Sequence, residues 1–124
     1  MTPAAFAREL AAALAAGLPD GFTAAADGAL VTIEGPDGTG ATTALDLDAE
    51  DVGDMDAYAD AAEAVLSLAQ DFVCETLDAP WPKASRASVD LPIPGARAEG
   101  SVLQLWYGEE DSPVLALKEI PLQA

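Results

Sequence analysis

From Asp54 to Asp78 the chain runs without a glycine or a proline, and its apolar residues return at helical spacing. Tyr58, Ala61, Val65, Leu68 and Phe72, with Ala62, Ala69, Val73 and Leu77 beside them, form one wide apolar face. Asp56, Asp60, Glu63, Ser67, Gln70, Asp71, Glu75 and Asp78 take the other side. A long helix with such a face must bury it against other elements, and Pro80 ends it. A second, shorter stripe made by Phe6, Leu10 and Leu14 predicts a helix at the start. Thr2 can cap its free amides and Pro3 is tolerated at its first position. Gly17 suits a left-handed end residue, with Leu18 folding back on Leu14 before Pro19 stops the helix.

Elsewhere glycine and proline cut the chain into short apolar runs. Asp27-Gly28 is a tight-turn pair between Phe22–Ala26 and Ala29–Glu34. Ala41, Thr43, Leu45 and Leu47 alternate with Thr42, Ala44 and Asp46, as in a strand with one wet face. Ala87, Val89, Leu91 and Ile93 alternate in the same way, with Pro92 barring a central position in a sheet. Val102–Tyr107 and Val114–Ile120 predict a closing hairpin. The order α-β-β-β-α-β-β-β predicts an α+β fold: two helices on one face of an antiparallel sheet of five or six strands. Its 124 residues suit one domain, residues 1–124, that hides roughly two-thirds of its unfolded surface.

Twenty-two acidic residues face five basic ones, Arg8, Lys83, Arg86, Arg97 and Lys118, for a net charge of −17. A hydrophobic content of 51% argues against disorder despite that charge. The field repels nucleic acid and anionic lipid headgroups and attracts basic protein surfaces. No apolar run approaches the ~18 residues of a membrane span. The Met1–Leu18 stretch lacks a positively charged start and carries Arg8-Glu9 inside it, which does not fit a signal peptide. With one thiol, Cys74, these features point to a cytoplasmic protein.

Histidine is absent, which removes Ser-His-Asp and Cys-His catalysis and cysteine–histidine zinc sites. Cys74 lies among Asp71, Glu75 and Asp78 in helical terms and makes a poor nucleophile. The acidic surroundings also disfavour Schiff-base chemistry at Lys83 or Lys118. An EF-hand register starting at Asp48 places Glu50, Asp54 and Asp56 as candidate metal ligands. Val52 and Ala59 occupy two of its ligand positions, so capping and solvation account for the cluster without an ion. The stretch Val31 to Thr43, through Gly35-Pro36-Asp37-Gly38-Thr39-Gly40, resembles the phosphate-binding loop of the thymidylate-kinase family. That resemblance implies a nucleotide phosphate site. The loop's lysine position is Ala41, and a strand follows where a helix is required, so these residues read as a hairpin turn.

Trp81, Trp106 and Tyr107 are the candidate partner-binding residues. Neighbours on a strand point to opposite faces, so one of Trp106 and Tyr107 must leave the core side. The order of elements in a short acidic chain resembles the type III secretion chaperone fold, from which it departs by lacking a final helix and adding the Ala84–Ile93 segment. That resemblance implies a protein, often dimeric, that holds extended segments of other proteins against its surface. The expectation is a non-enzymatic, chaperone-like protein-binding module without a cofactor, whose partner is another protein or a second copy of the chain. The alternative is an acidic inhibitor or immunity protein covering a basic site, such as that of a nuclease.

Overall fold

The structure, a computed structural model, describes residues 2–45, 47, 54–82 and 92–122. The chain is α+β: helix α1 (Pro3–Gly17), strands β1 (Thr23–Asp27), β2 (Leu30–Glu34) and β3 (Gly40–Ala44), helix α2 (Met55–Leu77), and strands β4 (Pro94–Glu99), β5 (Val102–Glu109), β6 (Ser112–Ala116) and β7 (Ile120–Pro121). All strand pairs among the described residues are antiparallel.

The strands form two sheets rather than one, a three-stranded β1-β2-β3 and a four-stranded β4-β5-β6 with β7 also on β5. Each sheet is a local meander closed by short turns, and α2 separates the two in sequence. α1 packs on β1 and β2, while α2 packs chiefly on β4 and touches β2, β3 and β5. Among the described residues a core lies between them, with Phe6, Leu10 and Leu14 from α1, Val31 and Ile33 from β2, Val65 and Leu66 from α2, and Leu103, Leu105 and Tyr107 from β5.

The helix starts are chemically determined. Thr2 Oγ1 accepts from the Ala5 amide at 3.1 Å, and Asp54 Oδ1 accepts from the Asp56 and Ala57 amides at 3.1 and 3.3 Å. Gly17 corrects its sequence reading. It is helical rather than left-handed, and an ideal Cβ there would lie 2.5 Å from Leu117 Cδ2, so glycine serves the close approach of the closing segment. α2, by contrast, does end on a left-handed residue, Asp78, with φ of 51°.

The final hairpin also differs from its sequence reading. Val114–Ile120 is not one strand: β6 stops at Ala116 and β7 resumes at Ile120, after a bulge between Tyr107 and Gly108 shifts the register. In the preceding segment Pro94–Glu99 forms β4, with Pro94 at the first position of an edge strand, where a missing amide is tolerated. The predicted alternation over residues 84–91 lies outside the described residues. At its end, Ile93 is exposed and Pro92 buried, the reverse of the expected phase.

The edge-to-face pair Phe6–Tyr58, with centroids 4.8 Å apart, joins the two helices. Phe6→Ala is expected to cost about 3–5 kcal/mol, read as a lower urea midpoint at unchanged m-value.

Candidate functional site

The pleat of β5 sorts the candidate aromatics. Leu103, Leu105 and Tyr107 face the core, while Val102, Gln104 and Trp106 are part-exposed on the opposite face. Tyr107 is fully buried, which takes it out of the set available to a partner. Its hydroxyl donates to the Leu66 carbonyl of α2 at 2.6 Å, and its ring meets Trp81 edge-to-face at 5.2 Å. Burial pushes that hydroxyl far above the usual tyrosine range, with Cys74 and Asp71 adding to it, so it remains a donor.

Trp81 is half-buried against the core, with its backbone amide 3.3 Å from Cys74 Sγ. The thiol of Cys74 is thereby engaged in holding the turn after α2. Trp81 thus contacts Tyr107 first, and Trp106 is the member of the trio on the outer face.

Trp106 pairs with Gly95 across the β4–β5 ladder. An ideal Cβ at Gly95 would lie 2.6–2.7 Å from Cε2, Cζ2 and Nε1 of the indole, so the ring lies over the glycine. Arg97, further along β4 on the same face, donates through Nη2 to Glu99 at 2.9 Å and lies 2.7 Å through Nη1 from Glu110. A hollow of about 160 Å³ between Trp106, Ala116, Glu110 and Glu119 completes this face. Both helices sit against the other side of the sheet, α2 through Tyr107 and α1 through Leu117.

A second feature lies along α2. Asp56, Asp60, Glu63, Asp71 and Glu75 are all exposed, and α2 carries no basic residue. An open groove of about 400 Å³ runs between this face and the start of β4, lined by Asp60, Glu63, Ala64, Ser67, Ile93 and Pro94. Sequence reasoning missed Ile93 as a surface residue. The signal available was the Pro92-Ile93-Pro94 run, which limits how the segment can turn its side chains inward.

Of the candidate metal ligands, Asp48 and Glu50 lie outside the described residues. Asp54 spends Oδ1 on capping α2, and Asp56 is exposed within that helix's first turn. Among the described residues no three cysteine or carboxylate groups are placed together to hold a metal ion.

The loop resembling a phosphate-binding loop is the β2–β3 turn. Its Gly35 amide donates to the Thr39 carbonyl at 2.8 Å, and Glu34 pairs with Gly40 at the end of the ladder. Asp37 Oδ1 accepts from Thr39 Oγ1 at 2.7 Å and from the Thr39 amide at 3.1 Å. Those bonds, the hydroxyl's first, hold the Asp37 carboxyl below the usual aspartate range. An anion here would meet the Asp37 carboxylate, while Ala41 stands at the loop's lysine position.

Thr39→Val is expected to raise the Asp37 pKa toward the ordinary aspartate value, measured by a pH titration of its carboxyl carbon by NMR. Because the folded value is lowered, the bond's contribution is present above the unfolded aspartate pKa and fades as pH falls through the folded one. Gly95→Ala is expected to force the indole of Trp106 off the sheet, at about 1–3 kcal/mol, with a red shift in tryptophan emission. No family model, curated protein or solved structure matches this chain.

Proposed function

We propose that this chain is a non-enzymatic protein-binding module that works in a chaperone-like way, holding a segment of another protein against the outer face of its four-stranded sheet. The observation that carries this reading is Trp106, laid over Gly95 on the side of the sheet opposite both helices. Large aromatics supported on one face and part-exposed, as Trp106 is, serve as anchors in protein interfaces.

A second reading, an acidic inhibitor or immunity protein that covers a basic site such as that of a nuclease, is favoured by a different observation. Among the described residues both ion pairs belong to Arg97, so the carboxylates of α2 stand uncompensated. Such a surface speeds encounter with a cationic partner and loses its advantage in salt.

The two readings separate in a pull-down from the native host at low and high salt, with the parent chain and with Trp106→Ala. Capture that persists at high salt and falls roughly tenfold in Trp106→Ala is expected for the chaperone-like module. Capture that collapses with salt and ignores Trp106 transfers the function to the inhibitor. Turnover of a small molecule, abolished by one side-chain change, would overturn both.

A further inference from the structure

We infer that the groove between α2 and the Pro92-Ile93-Pro94 run receives a basic, amphipathic segment of a partner protein, with Ile93 as the apolar anchor and Asp60 and Glu63 selecting its positive charges. The inference rests on the protein-binding reading above and deepens it by naming the chemistry of the partner.

Ile93 is 74% exposed, whereas the other exposed large apolar side chains among the described residues, Leu30, Leu77 and Val114, lie between 41% and 43%. Its position is not a loose loop. The Pro92 carbonyl accepts from Gln70 Nε2 at 2.6 Å, and the Ile93 carbonyl accepts from the Gly108 amide at 2.9 Å. Gln70 is only 6% exposed, so a buried amide on α2 is committed to fixing this segment. Prolines on both sides fix their own φ angles. The backbone is therefore held from α2 on one side and from β5 on the other, while the isoleucine side chain projects into water. An anchor ordered before binding loses little further conformational entropy on contact.

The groove's two walls differ in chemistry. Ile93 and Pro94 form the apolar one, and Asp60, Glu63 and Ser67 of α2 form the polar one, with the small side chain of Ala64 between. At about 400 Å³ it matches a strip of side chains rather than a folded element. A purely apolar segment would desolvate Asp60 and Glu63 without pairing them, which is costly. An anionic segment would meet the repulsion of a chain with 22 acids and five bases. A segment with apolar side chains on one face and lysine or arginine on the other satisfies both walls.

The test uses the full chain and two fluorescein-labelled synthetic peptides of equal length and charge, one a leucine–lysine amphipathic helix and the other a lysine–serine sequence. Binding is read by fluorescence anisotropy at moderate salt. The leucine–lysine peptide is expected to bind roughly tenfold more tightly than the lysine–serine one. Ile93→Ser should abolish that preference while Ile93→Leu keeps it, and the double change Asp60→Asn with Glu63→Gln should weaken both peptides. Because Ile93 lies on the surface, circular dichroism of Ile93→Ser is expected to match the parent. A preference that survives Ile93→Ser, or no preference at all, overturns the inference. A preference lost in Trp106→Ala but kept in Ile93→Ser also overturns it and leaves the protein-binding reading standing.

Discussion

The two sheets are not hydrogen-bonded to each other, and α2 is the element both lean on. Its inward face does this through a few specific contacts. The Leu66 carbonyl accepts the Tyr107 hydroxyl, Gln70 holds the Pro92 carbonyl, Tyr58 meets Phe6, and Phe72 meets Phe22 edge-to-face at 6.0 Å. The tyrosine is the most demanding of these. A buried phenol must find an acceptor, and the hydroxyl stays protonated because burial disfavours its anion. Through this bond the middle strand of the four-stranded sheet is fixed to the helix at its centre, and the outward side chains of that strand follow.

The same helix divides the molecule's two chemistries. Its apolar side closes the core, while its other side carries carboxylates that face water without basic neighbours in the helix. Neither of the described ion pairs belongs to it, since both are made by Arg97 on the far face of the sheet. Exposed pairs of that sort contribute little to stability. Among the described residues the fold is held by burial and buried hydrogen bonds such as those of Tyr107 and Gln70. No helix is long and apolar enough to cross a membrane among the described residues.

Much of the local structure was legible. The stripes at Phe6, Leu10 and Leu14 and along Tyr58–Phe72 announced both helices, because a period near four residues survives in any context that buries one face. Asp27-Gly28 and the Gly35–Gly40 stretch announced the first meander, because turn chemistry is carried by the residues themselves. β4 was harder to read. Pro94-Gly95-Ala96-Arg97-Ala98-Glu99 has weak strand character, and its pairing with β5 supplies what its side chains lack. Gly17 carried the usual signal of a helix end, yet it stays helical and lies close against Leu117.

What the sequence determined by itself was the α+β class, the order of helices and hairpins, and a net charge of −17, since each depends on residue type and short spacing. Only the tertiary structure decided that the strands divide into two sheets, that Tyr107 turns inward while Trp106 stays out, and that Ile93 stands in water beside an acidic helix. Those outcomes depend on which face α2 covers and on where Gln70 and Leu66 meet residues far along the chain. A strand's alternation specifies two faces but not which of them is buried, and that choice is made by long-range packing.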